Sequence, residues 1–377
     1  MRVLVTDGED RAALAACRGL SRAGHTVAVA AGIKRAATHA SRACSARLML
    51  PPSLSAEEFV AGLVEAVGRT PYDALLPASD AALLAVSRLR ERLPGSLLRW
   101  LPPDATVART LQKAALLEDA PRAGFEVPET VACAEPEESH AAVATLDLPV
   151  VVKPSMSIVG ARREAARLAS DAAQLDAALA RLGTPVLIQR FYADASVLAL
   201  AGVAWNGRLS AVVAARWSRR WPPVDGAASF AETVIPPSEL AERTEALVRR
   251  LGWQGIFELE LLELRPGIFA PVDFNPRPFG WMALALRAGA NLPAVWAECV
   301  QGREPQSVRP RPGVRYRWED GDLKHLLWQL RRGRARAAAA VVVPRRRVAH
   351  AYFELRDPRP LGAALARLAE RRLTRRG

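Results

Sequence analysis

Through the first hundred positions, short apolar runs alternate with segments whose apolar residues recur every three or four places. Arg2–Thr6 and Thr26–Ala30 read as strands on either side of an amphipathic helix, Arg11–Ala23, closed by Gly24. Ala56–Val67 predicts a second helix and Ala74–Pro77 a short strand. Asp80–Leu93 predicts a third helix, with Ser79 placed to cap it. This alternation predicts a doubly wound parallel sheet. The turn after the first strand is Thr6-Asp7-Gly8-Glu9-Asp10 and not GxGxxG, and its three acidic residues would repel a pyrophosphate. Pro102-Pro103-Asp104 marks a boundary. Beyond it the pattern predicts a helix over Thr106–Ala120, a strand over Val150–Lys153, a helix over Asp171–Leu182 and a strand over Val186–Phe191. Val197–Trp205 and Leu209–Arg216 flank Asn206-Gly207, a strong hairpin signal. Helix Ser238–Leu251 leads into a second hairpin, and another helix begins over Ala283–Gly289.

That second hairpin carries the most chemistry. In Pro271-Val272-Asp273-Phe274-Asn275-Pro276-Arg277, Asp273 and Asn275 alternate with apolar residues, so on a strand they share one face. Glu258 and Glu260 occupy an upstream strand, and Glu263-Leu264-Arg265-Pro266-Gly267 reads as the turn joining the two. Two carboxylates and an amide oxygen on one hairpin face would suit a hard cation such as magnesium. Arg277, just past the strand end, could grip a phosphate or carboxylate. The competing reading is a two-stranded edge with solvated polar residues.

Composition narrows the class. The chain has 377 residues, so more than one domain is expected. Half its residues are hydrophobic and about a quarter charged, as in soluble globular proteins. No apolar run approaches the ~20 residues of a membrane helix, and the start lacks the apolar core of a signal peptide. Cys17, Cys44, Cys133 and Cys299 form no CxxC pair, and the five histidines are dispersed, which argues against a zinc site. A reducing cytoplasm is the expected address. The formal charge is +13, yet only Lys34, Lys113, Lys153 and Lys324 among 52 basic residues are lysines. Against such a drift toward arginine, a retained lysine is a candidate for chemistry that a planar guanidinium does poorly.

The order Lys113, Lys153-Pro154, Ile188-Gln189, Glu260, Asp273-x-Asn275-Pro276-Arg277 resembles the ATP-grasp superfamily, and within it the ATP-dependent carboxylate–amine ligases. The resemblance spans nearly the whole chain, from the N-terminal segment ending in Pro77-Ala78-Ser79-Asp80 to a tail containing Asp357-Pro358-Arg359-Pro360. It implies an α/β and α+β protein. An N-terminal parallel-sheet (pre-ATP-grasp) domain over 1–104 would precede an ATP-grasp domain over 105–305, with subdomains 105–185 and 186–305. A basic C-terminal extension over 306–377 would pack on the body.

The resemblance also implies site roles. Lys113 and Lys153 would meet the phosphates, with Ser155 and Ser157 in the covering loop. Gln189, Arg190, Phe191 and Tyr192 would form the hinge whose backbone meets adenine, and Asp194 would hold the ribose. Glu260, Asp273 and Asn275 would hold Mg²⁺, with Mn²⁺ as a substitute and Glu258 as a reserve ligand. Lys153 and Arg277 would act on the reacting centre, and Arg216, Arg220, Ser229 and Arg277 would face the carboxylate and amine substrates. The implied reaction passes through an acyl phosphate and releases ADP and phosphate.

Three features depart from the family pattern. Arg190 stands where glutamate is usual, and Asp273 where glutamate is common. The loop that should be glycine-dense reads Ser155-Met156-Ser157-Ile158-Val159-Gly160-Ala161, whose bulky residues limit backbone approach to a phosphate. A catalytically weak or inactive nucleotide-binding or sensor protein is therefore the alternative. Arginine runs at Arg331-Arg332, Arg345-Arg346-Arg347 and Arg371-Arg372 raise nucleic-acid binding as a further class. Their mixing with Ala and Leu favours a solvated basic face, so neither nucleic acid nor a membrane is the expected partner. A homodimer is left open.

Overall fold

The computed structural model describes residues 1–159, 162–223 and 226–373, with side chains to residue 370. Gly160 and Ala161 of the serine-bearing loop, Asp225 of the arginine-rich segment and the terminal Arg375-Arg376 lie outside the described residues, as do the side chains of Arg371 and Arg372.

Strands β1 (Arg2–Val5), β2 (Thr26–Ala31), β3 (Ala46–Met49) and β4 (Ala74–Leu76) form a parallel sheet in the order β3-β2-β1-β4. Val3, Leu4 and Val5 are all fully buried, because helices cover both faces of the sheet. The sequence pattern does not reveal β3: it is an edge strand with largely exposed side chains, so no apolar run marks it.

A second sheet is antiparallel. Strands β5 (Thr130–Cys133), β6 (Val150–Pro154), the short pair β7 (Ile158–Val159) and β8 (Arg162–Arg163), then β9 (Arg167–Ala169) and β10 (Val186–Arg190) follow in order. The sheet itself runs β5-β10-β6-β9. Helices Pro136–Leu146 and Ala172–Leu182 help give it a core of its own around Val150, Val152, Leu175 and Ile188, separate from the main core.

The third sheet is the largest. Strands β11 (Ser196–Trp205), β12 (Arg208–Trp221), β13 (Ala227–Val234), β14 (Gly255–Arg265), β15 (Ile268–Asn275), β16 (Arg315–Arg317) and β17 (Val348–His350) pair in the order β15-β14-β11-β12-β13-β16-β17. Both sequence hairpins are present, with Asn206 and Gly207 at positive φ in the turn between β11 and β12. The tail is more than a layer on the body: its strands β16 and β17 extend this sheet.

The expected helix Thr106–Ala120 is two helices, Asp104–Thr110 and Lys113–Asp119. Between them the Thr110 hydroxyl donates to the Val107 carbonyl, and the Lys113 amide donates to the Ser155 carbonyl instead of continuing the helical ladder. The break places Lys113 at a helix start, against the loop that follows β6. The helix expected over Asp80–Leu93 likewise ends at Arg88 and passes into a 3₁₀ turn.

Two deeply buried contacts are among those that join the parallel-sheet unit to the rest. Trp100 donates to the Leu75 carbonyl and packs edge-on against Trp253 and Trp296. Arg18, buried on helix Arg11–Arg22, donates to Asp357 Oδ2 at 3.0 Å and to the carbonyls of Tyr352 and Asp357. Among the described residues, no helix is long and apolar enough to cross a membrane.

Candidate functional site

A cavity of about 330 Å³ opens between the second and third sheets and is closed at one end by the parallel-sheet unit. Its acidic side is the β14–β15 hairpin. Glu258 lies opposite Asn275 and Glu260 opposite Asp273. The ladder then skips Val272, so that residue bulges and its carbonyl accepts from Lys153 Nζ at 3.2 Å. Asn275 donates to Glu258 Oε2 at 3.1 Å and to Glu260 Oε1 at 3.3 Å. The Trp281 indole also donates to Glu258.

Burial sets the protonation of this cluster. It pushes Glu258 up to about 7, against the opposing charge of Arg277. Burial and the neighbouring charge of Glu258 push Glu260 well above the usual carboxylate range. The same desolvation lowers Lys153 to about 8, despite Asp273 nearby.

A stability test follows for Glu258. Its folded value lies above its unfolded value of 4.5, so the folded state holds the extra proton. Its contribution to stability is fully present below about pH 4.5 and is lost as pH rises toward 7. Urea unfolding at both ends of that window should show the native chain losing a few kcal/mol relative to Glu258→Gln. Parallel pH profiles for the two proteins would overturn the assignment.

The basic side comes from three elements. Lys113 Nζ stands 3.4 Å from Asp273 Oδ1 and donates to Ser157 Oγ at 3.1 Å. Lys153 is the penultimate residue of β6, on the face that also carries Val151. Arg277 forms a two-point ion pair with Asp80, at 2.6 and 3.2 Å, and donates to Asn275 Oδ1 at 2.8 Å. Its fork is thus held within the cleft wall.

Of the residues singled out from sequence, Lys113, Lys153, Ser157, Gln189, Arg190, Phe191, Tyr192, Arg220, Glu260, Asp273, Asn275 and Arg277 all line this one cavity. Ser155, Asp194, Arg216 and Ser229 do not, and each has a physical reason. Ser155 meets Lys113 through its backbone carbonyl, and Asp194 is exposed on a loop. Arg216 adjoins Trp217, which lines the cavity, so strand alternation turns it away, onto Glu263 at 2.6 Å and Ser196. Ser229 is fully buried and is skipped in the β12–β13 ladder.

In the segment expected to act as the hinge, the amides of Arg190 and Phe191 already donate to the carbonyls of Glu129 and Pro149. Arg190 also pairs with Glu129 at 2.9 Å.

Sequence reasoning missed Asp10, Arg11, Arg163 and Trp281, which also line the cavity. Asp10 and Arg11 lie at the end of the acidic turn after β1. A loop at the carboxyl end of a parallel strand is a usual place for ligand contacts, and that signal was available.

The donors facing one another across the hairpin are hard oxygens, and burial, with mutual repulsion added at Glu260, holds Glu258 and Glu260 above the usual carboxylate range, a cost that a bound cation would relieve. Among the described residues, no three His, Cys, Asp or Glu side chains form a metal-binding group. A hard ion here would rest on Glu260, Asp273 and the Asn275 amide, with its remaining oxygens from water or a ligand, as is usual for magnesium. The residues present fit such an ion.

No protein-family model matches the chain, and no curated protein matches its sequence. Solved structures do resemble it. N5-carboxyaminoimidazole ribonucleotide synthetase from Thermus thermophilus superposes with a TM-score of 0.61 at 16% identity, covering 83% of this chain and 81% of that one. The biotin carboxylase domain of Hydrogenobacter thermophilus 2-oxoglutarate carboxylase, in complex with MgADP and bicarbonate, gives 0.64 at 14% identity over 83% and 73%. L-amino acid ligase from Bacillus licheniformis gives 0.59 at 15% identity over 82% and 77%. At such identities the likeness establishes architecture and nothing finer, and the architecture that this chain shares with them is the ATP-grasp fold.

Proposed function

We propose that this chain is a magnesium-dependent ligase of the ATP-grasp superfamily, which uses ATP to activate a carboxylate as an acyl phosphate and joins it to an amine. ADP and phosphate are the other products. The observation that carries this reading is the meeting of two buried lysines from one side of the cleft with the Glu260–Asp273–Asn275 hairpin on the other. In this reading residues 1–104, 105–305 and 306–377 are the pre-ATP-grasp unit, the ATP-grasp unit and the C-terminal extension.

Lys113 and Lys153 would hold the phosphates, and desolvation in the cleft would strengthen both contacts. Glu260, Asp273 and Asn275 would hold magnesium, which supplies charge neutralisation to phosphate oxygens when bound. Phe191 and Tyr192 would border the adenine, with Gln189 fixed behind it by its 2.9 Å bond to Thr130. Arg277 would keep Asn275 in place through the bond to its Oδ1, while Asp80 balances its charge. Arg220, Arg11 and Asp10 would face the second substrate.

The founding test is calorimetric titration with MgADP, followed by assays with MgATP and pooled amino acids and small carboxylates, measuring ADP and AMP separately. ADP release that depends on the pool, without AMP, is the expected result. AMP formation would replace acyl-phosphate chemistry with adenylation, and the absence of MgADP binding would overturn the reading.

Lys153→Ala should weaken ADP binding by about 1.5–3 kcal/mol, the value of a hydrogen bond to a charged group. Because Lys153 sits at about 8 in the open cleft, an arriving polyphosphate should raise it and draw in a proton. Titrations at about pH 9 in buffers of different ionisation enthalpy should show that uptake in the native chain and not in the variant. Equal uptake in both proteins would remove Lys153 from the phosphate site.

A further inference from the structure

The end of β12 breaks strict alternation. Trp217 and Arg220 both line the cleft although they stand three residues apart, a spacing that places regular strand residues on opposite faces. Two register shifts reconcile this. Between Trp217 and Arg219 the ladder gains an extra residue on β12, and between Arg219 and Arg220 it gains one on β13. Bulges of this kind re-aim side chains beside binding sites.

Arg219, between the two shifts, is held from outside the hairpin. Its Nε and terminal nitrogen donate to the two oxygens of Asp322 at 3.2 and 2.8 Å. Asp322 is buried in the first turn of helix Glu319–Arg331 and also pairs with Arg317 at 3.0 Å. The Arg219 guanidinium lies 4.5 Å from the centre of the Phe230 ring, its partner across the ladder. His325, one turn further along the helix, meets the Trp221 ring edge-on at 6.3 Å.

We propose that Asp322 is a positioning residue for the second-substrate side of the cleft: by clamping Arg219 it fixes the double bulge and so keeps Arg220 turned inward. The consequence for catalysis rests on the ligase reading above, whereas the clamp itself does not. A slip of one residue in this ladder would exchange the faces on which Arg219 and Arg220 stand. The C-terminal extension is thereby part of the cleft's construction.

Two measurements on the full-length chain separate the clamp from its consequence. Hydrogen exchange read by mass spectrometry, without any substrate, should show the amides of residues 216–231 exchanging at least about tenfold faster in Asp322→Asn, while those of β6 and β10 keep their native rates. Unchanged exchange at 216–231, or acceleration in every sheet alike, would overturn the clamp.

The second is a double-mutant cycle on pool-dependent ADP release. Asp322→Asn should raise the half-saturating pool concentration about tenfold in the native background and by less than about twofold in Arg220→Ala, with MgADP affinity retained throughout. Equal cost in both backgrounds would show that Asp322 does not act through Arg220. Failure of the native chain to bind MgADP would count against the ligase reading, and hydrogen exchange would still decide the clamp.

Discussion

Asp273→Asn should abolish magnesium-dependent ADP release while leaving the fold intact. The side chain is part-exposed at the cleft, opposite Glu260 in the ladder and 3.4 Å from Lys113. Asparagine keeps the size and one oxygen and loses the charge that a magnesium ion would meet. Removing an electrostatic contact of this kind costs roughly 10²–10³ in rate, so turnover should fall by at least about a hundredfold. Stability should change far less. Asp273 pushes Glu260 upward but also attracts Lys113 and Lys153, so removing it relieves a repulsion and loses attractions together. A variant that melts near the native temperature yet releases almost no ADP is the expected outcome. Full activity would sink the metal assignment.

Arg277→Met should be the most destabilising change in the site. Arg277 and Asp80 are both almost wholly buried, and their pair ties helix Asp80–Arg88 of the first unit to the end of β15. Removing one partner of a buried pair leaves an uncompensated charge, at a cost of about 3–5 kcal/mol. The pH dependence gives the signature. In the native chain burial pushes Asp80 up, but Arg277 outweighs it and holds the carboxyl below 3.8. That contribution is present above the unfolded value and is lost only as pH falls through the lower folded one. Without Arg277, burial is opposed only by the charges of Arg163 and Lys113 and raises Asp80, so the variant should be weakest near neutrality and recover on acidification. Asp80→Asn combined with Arg277→Met should restore much of the loss. Urea unfolding at about pH 7 and about pH 5 measures all of this, and a loss independent of pH would refute it.

The acidic hairpin was legible because its chemistry is local. Alternation alone places Asp273 and Asn275 on one face, and a glycine-containing turn folds them onto Glu258 and Glu260. Lys113 and Lys153 stood out because so few lysines remain among so many arginines. What the sequence concealed depends on partners far away in the chain. Nothing near Leu111 announces that a helix stops there; the break reflects the amide of Lys113 finding Ser155. Nothing in Arg216–Arg220 distinguishes the arginine that enters the cleft from those that leave it, since that choice lies in a double bulge and in Asp322, a hundred residues on. The edge strand β3 and the tail strands β16 and β17 lack the apolar runs of central strands, and only their neighbours identify them.

The clasp between Arg18 and Asp357 bears on how the chain is made. Arg18, on helix Arg11–Arg22, leaves the ribosome before its partners at Tyr352 and Asp357, which follow more than 330 residues later. At translation rates of about 5–20 residues per second, that interval is on the order of tens of seconds. During it the growing first unit carries a guanidinium that has no counter-charge from Asp357, and the surface meant for the tail stays open. The parallel sheet therefore reaches its final packing only once residues 352–357 have emerged, long after its own four strands.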